Sequence, residues 1–104
     1  MAERRDDLSK MVTKEMGKPI AQSVGEIDKS IAHLDYYIEN SAHFLEPEPL
    51  DLKSGHTGQI IHQPLGPILV IQPWNFPVWL PFKTCIPPLI LGNSIMLKHS
   101  ESTP

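Results

Sequence analysis

Asn75 lies at the centre of Pro73-Trp74-Asn75-Phe76-Pro77, between an apolar run ending at Gln72 and a helical segment that opens soon afterwards. From spacing alone, an asparagine there reads first as a helix N-cap worth about 1 kcal/mol. Lys98 and Glu101, three residues apart after a second apolar run, place a cation and an acceptor where polar groups of a ligand can be held. The alternative for a lone lysine at a strand end is a solvated charge. Cys85 is the only cysteine, so there is no disulfide framework. A reactive thiolate needs an electropositive, accessible setting, and Ile86, Pro87 and Pro88 give Cys85 an apolar one, so it reads as inert. Histidines 33, 43, 56, 62 and 99 show no pair four apart on one helical face, so no metal site is expected. A Walker loop, a Ser-His-Asp order and a Gly-x-Gly-x-x-Gly fingerprint are all missing from these residues.

The elements that must position these groups follow from periodicity. Ile68 to Gln72 is a short continuous apolar stretch bounded by Pro67 and Pro73, which predicts a strand buried on both faces of a parallel sheet. Ser94 to Lys98 is similar. Phe76 to Leu91 is long enough for the crossover helix that a parallel pair requires, and Gly92-Asn93 supplies its stop. The segment 65–104 is therefore a βαβ unit, and its polar groups gather at the carboxyl ends of the strands, where open α/β sheets bind ligands. Pro81, Pro87 and Pro88 predict a late helix start, a bend, or both.

Upstream, Leu8, Met11, Val12 and Met16 recur at helical spacing, and Gly17-Lys18-Pro19 ends that helix. From about Ala21, the residues Val24, Ile27, Ile31, Leu34, Ile38 and Leu45 draw an apolar stripe down a longer helix, expected to pack on a core. Glu26, Asp28, Lys29 and Glu39 fall mostly on its other faces. Glu46-Pro47-Glu48-Pro49 closes the helical region (1–45), Asp51 to Gly58 reads as a loop, and an edge strand follows over 58–64. The fold class is α/β.

Gly66-Pro67-Ile68, Pro73-Trp74-Asn75-Phe76-Pro77, Pro87, Gly92-Asn93 and Leu97-Lys98-His99-Ser100-Glu101-Ser102-Thr103-Pro104 resemble, in order and spacing, the opening of the cofactor domain of NAD(P)-dependent aldehyde dehydrogenases. Ala2-Glu3-Arg4-Arg5 and Lys14-Glu15-Met16-Gly17-Lys18-Pro19 resemble the helical segment before it, so the likeness covers nearly the whole chain. His99, where the family usually has proline, resembles the succinate-semialdehyde dehydrogenase branch.

The resemblance implies a partial, Rossmann-like NAD(P)-binding domain over 1–104. It implies that the Asn75 amide donates to the oxyanion formed when a cysteine thiolate attacks an aldehyde, reversing the capping reading. It implies that Lys98 and Glu101 hold the adenosine ribose, and that Ile71, Pro73 and Trp74, with Asn75, line the cofactor cleft. A carboxylate at Glu101 disfavours an extra phosphate by charge repulsion, so NAD is the first choice, with NADP the second. The family's cysteine nucleophile and glutamate base lie well downstream and do not map onto these residues, so the chain is expected to be an N-terminal fragment, inactive alone. The segment matching 58–64 belongs to an arm used in oligomer contacts, which implies a homo-oligomeric parent.

Composition bounds the rest. The chain is 40% apolar with a formal net charge of -3, so it reads as globular and offers no electrostatic reason to bind nucleic acid. The acid-rich start Met1 to Asp7 shows no targeting signal, and the apolar stretch Val78 to Leu91 is broken by Lys83 and three prolines, so no membrane span is expected. A cytoplasmic enzyme acting on a small aldehyde is the first reading. A non-catalytic binding or assembly module derived from such an enzyme is the second.

Overall fold

Gly17 and Gly92 lie just past the ends of two helices. Each adopts a left-handed backbone, with φ of 82° and 83°, a region that only glycine occupies cheaply. The computed structural model describes every residue except Ser54, which falls inside the loop expected over 51–58. A short 3-10 turn, Ala2–Arg4, leads into α1 (Arg5–Met16), and α2 (Ile20–Phe44) follows directly. Next come β1 (Glu48–Asp51), β2 (Thr57–Ile60), β3 (Pro67–Ile71), α3 (Trp79–Ile90) and β4 (Ser94–Lys98). The body is long, 62 × 25 × 19 Å, with a radius of gyration of 18.2 Å against about 13 Å for a compact domain of this length.

The βαβ unit forms as the sequence predicts. β3 and β4 pair in parallel, Pro67 opposite Ser94 through Ile71 opposite Lys98, and α3 crosses between them with a late start at Trp79. Pro81 falls in the first turn, where an amide hydrogen is not needed. Asn93, 6% exposed, fastens the end of α3 to the segment that enters β3. Its Oδ1 accepts from the Leu65 and Gly66 amides (2.6 and 3.0 Å), and its Nδ2 donates to the Pro88 carbonyl (2.8 Å).

Three expectations are corrected. Glu46-Pro47-Glu48-Pro49 does follow the end of the helices, but Glu48–Asp51 is also a strand, paired antiparallel with Thr57–Ile60, so the loop expected over 51–58 is shorter at both ends. Pro49 is tolerated because a strand with a single neighbour has an open side that needs no donor. β3 is not buried on both faces: Val70 is buried, whereas Leu69 and Ile71 are 62% and 71% exposed. A two-stranded sheet with α3 against it leaves its other face uncovered. Finally, the buried face of α2 is Ser23, Glu26, Ile27 and Ser30, rotated from the expected stripe, while Ile38 stands 75% exposed.

That rotation has a packing reason. α1 crosses α2 through small residues: Ser9, Ser23 and Ser30 are fully buried. Ser9 and Ser30 return their hydroxyls to the carbonyls of Arg5 and Glu26, both at 2.8 Å, and Thr13 shares a 2.8 Å hydrogen bond with Ser23. Buried hydroxyls satisfied this way cost little and let helix backbones approach closely.

At the outer end, Arg5 grips Asp28 with two donors, Nε at 2.5 Å and Nη2 at 2.7 Å. These hydrogen bonds hold the Asp28 carboxyl below its usual range and raise Arg5. A depressed carboxylate adds stability above its unfolded value, about pH 3.9, and loses it as pH falls through the lower folded value. Thermal melts taken downward from about pH 5 should therefore show a falling midpoint, and Asp28→Asn should flatten part of that slope. An unchanged slope in Asp28→Asn would show that the pair contributes nothing.

Candidate active site

The site is built where β3 and β4 end together. Ile71 lies opposite Lys98, and one step further the Gln72 amide donates to the Lys98 carbonyl at 3.0 Å. Gln72 is buried, and its Nε2 donates to Thr84 Oγ1 at 2.6 Å, tying the strand end to α3. Pro73, Trp74 and Asn75 then leave the sheet on the exposed side. The fold thus brings Ile71, Pro73 and Trp74 to the edge that carries Lys98. The Lys98 ammonium donates to the His99 carbonyl at 2.7 Å and is open to solvent. Glu101 is exposed in the turn that follows. Among the described residues neither charge has an ion-pair partner, so both are free to meet a ligand.

Asn75 is exposed and does not cap α3: the N-cap is Val78, three residues further on. The amides at the start of α3 are satisfied from elsewhere. Glu26, reaching across from α2, accepts from Val78 N at 2.8 Å and Trp79 N at 3.0 Å through Oε1. A carboxylate is the favoured group at a helix N-terminus, where unpaired N–H groups and the macrodipole both draw negative charge. Its second oxygen, Oε2, accepts from Lys18, and Lys18 Nζ also donates to the Asn75 carbonyl at 2.9 Å and lies 4.0 Å from the Phe76 ring centre. Lys18 and Glu26 are 6% and 3% exposed.

Neither residue was singled out by sequence. In the sequence Lys18 belongs to a helix stop and to the segment that carries the family resemblance, and Glu26 falls off the apolar stripe of its helix. The signal that marks them is the small buried serines flanking Glu26 at positions 23 and 30, which place its face against a neighbour.

Cys85 is buried in α3, beside an apolar cleft of about 210 Å³ with Phe82, Ile86, Leu89 and Leu97 on its walls. The described residues that line this cleft include no cation. Among the described residues no group of three His, Cys, Asp or Glu is arranged to hold a metal ion. His33 packs edge-on against Tyr37 and Trp79, with ring centres 4.9 and 5.1 Å apart. Another opening, about 560 Å³, lies at the base of the β1–β2 hairpin beside His43, Glu46, Glu48 and His62, and none of its walls carries a residue of the strand-end site. Among the described residues, no helix is long and apolar enough to cross a membrane.

Comparisons with known proteins agree with this architecture. The chain is 39% identical over 104 residues to a succinate-semialdehyde dehydrogenase, NADP(+), of Deinococcus radiodurans, covering 100% of this chain and 22% of the relative. It is 40% identical over 99 residues to a succinate semialdehyde dehydrogenase, NAD(P)+, of Escherichia coli, covering 95% and 21%. The crystal structure of a succinic semialdehyde dehydrogenase from Streptococcus pyogenes in complex with NADP+ superposes with a TM-score of 0.94 at 35% identity, over 99% of this chain and 22% of that one. The chain thus spans about a fifth of the length of these relatives. A profile described as "Aldehyde dehydrogenase family" matches residues 1–104, and the chain belongs to that family.

Proposed function

We propose that this chain forms part of the cofactor-binding and oxyanion-stabilising region of an enzyme that oxidises an aldehyde to a carboxylic acid with NAD(P)+, succinate semialdehyde being the first substrate to test. The observation that carries this is the placement of Asn75: exposed, unused as a cap, and set between the carboxyl end of β3 and the start of α3, on the edge shared with Lys98. A carboxamide is neutral and polar, so it stabilises negative charge developing on the aldehyde oxygen without exchanging a proton. The attacking thiolate comes from outside these residues, since the one cysteine is buried in α3. Accordingly, the isolated 104-residue chain should show no NAD(P)-dependent aldehyde oxidation, and turnover abolished by Cys85→Ala would overturn the assignment.

The residues present fit a dinucleotide. Lys98 offers an unpaired ammonium at the strand end, Glu101 an unpaired carboxylate three residues on, and Ile71, Pro73 and Trp74 an apolar wall beside them. A bound dinucleotide would supply a hydride acceptor; Lys98 would donate to its ribose hydroxyls and Glu101 would accept from them. Relatives named for NADP(+) and NAD(P)+ support a nicotinamide dinucleotide in either form, and the Glu101 carboxylate favours the form without the extra phosphate. Calorimetry on the native polypeptide should show weaker dinucleotide binding in Lys98→Ala, and Glu101→Gln should raise the affinity for NADP relative to NAD. Unchanged binding in Lys98→Ala would reject its role. The β1–β2 hairpin, with exposed Leu50, Leu52, Ile60 and Ile61, has the open strand edges and apolar surface expected of an arm that pairs with another subunit.

A further inference from the structure

Beyond the groups that meet substrate or cofactor, we infer that the buried Lys18–Glu26 pair is the positioning device that aims Asn75. This rests on the oxyanion reading of Asn75 given above. The turn from β3 to α3 is held at four residues, Asn75, Phe76, Val78 and Trp79, by two side chains from α2 and the segment before it. Lys18 holds the Asn75 carbonyl at 2.9 Å and the Phe76 ring at 4.0 Å, while Glu26 holds the Val78 and Trp79 amides at 2.8 and 3.0 Å. Because Lys18 and Glu26 also bind each other, the Asn75 backbone and the first turn of α3 are parts of one rigid clamp. The Asn75 side chain itself is exposed and makes no hydrogen bond among the described residues, so its starting point and direction are set by the backbone that Lys18 holds.

An oxyanion donor must meet the position of the developing charge within a few tenths of an ångström. Misplacement of a reacting or stabilising group by about 1 Å costs up to about a hundredfold in rate. Lys18 and Glu26 touch neither substrate nor cofactor in this arrangement, so their loss should appear in kcat and leave ground-state binding alone.

The test is a double-mutant cycle on the native polypeptide that carries this chain. The neutral pair Lys18→Met with Glu26→Gln keeps an acceptor for the Val78 and Trp79 amides and releases the Asn75 carbonyl. It should lower kcat by about ten- to a hundredfold with aldehyde KM and dinucleotide Kd within about twofold of the parent. Added to Asn75→Ala, it should lower kcat no further, because there is no amide left to misaim. Independent, multiplying losses would overturn the inference and leave the role of Asn75 standing. Parental kcat in Asn75→Ala would instead remove the oxyanion reading, and the inference with it. Should the neutral pair not fold, Lys18→Arg serves: it keeps the charge on Glu26 but replaces a point donor with a longer planar fork. The expected result is again reduced kcat at unchanged Kd, absent when Asn75 is alanine, and parental kcat would overturn the proposal.

Discussion

Asn75→Ala in the native polypeptide is expected to lower kcat by about 10²–10³-fold, the usual effect of removing one oxyanion donor, equal to about 2.7–4 kcal/mol of transition-state stabilisation. The side chain is exposed and caps nothing, so the variant should fold and melt like its parent. An interaction made only in the transition state leaves no trace in ground-state affinity. Aldehyde KM and dinucleotide Kd should therefore stay within about twofold, in contrast to Lys98→Ala, which should weaken dinucleotide binding at similar kcat. Steady-state kinetics with calorimetry on both variants separates the roles. Equal losses of affinity in the two would show that Asn75 is a cofactor contact, and parental kcat would show that it is not an oxyanion donor.

Glu26→Ala carries the largest expected effect on stability. It leaves the Lys18 ammonium, 6% exposed, without its carboxylate, and it strips the acceptor from two amides at the start of α3. Breaking one side of a buried pair costs about 3–5 kcal/mol because the surviving charge is uncompensated. That is a large share of the about 5–15 kcal/mol by which a domain is normally stable. Denaturant melts should show a midpoint collapse for Glu26→Ala and a much smaller one for Lys18→Met with Glu26→Gln, where no charge is stranded. Equal midpoints for Glu26→Ala and the parent would mean that water reaches the pair and that the first turn of α3 does not depend on it.

The sequence was legible where local chemistry acts alone. The end of α1 at Met16 follows from Gly17, whose amide returns to the Thr13 carbonyl at 3.0 Å. The bounds of β4 and the late start of α3 follow from the apolar run and the prolines. The strand-end residues Ile71 and Lys98 meet because parallel pairing in a βαβ unit allows little else. Legibility failed where a distant partner decides. Glu26 is charged and sits one residue from the apolar Ile27, so periodicity assigns it to water; only α3, packed against α2, turns that position inward. Lys18 looks like punctuation after Gly17 until its two oxygen partners, 8 and 57 residues away, are known. Pro49 looks like a stop because its position on an open strand edge is a property of the sheet.

The 57-residue span between Lys18 and the Asn75 carbonyl sets an order of events during folding. α1, α2 and the β1–β2 hairpin form from neighbours along the chain, whereas the β3–α3 turn must wait for a loop of that length to close, an entropic step that local contacts do not offset. The bend is therefore shaped late, on helices already in place. Substitutions in Lys18 or Glu26 should accelerate unfolding more than they slow refolding, the signature of contacts absent from the rate-limiting barrier.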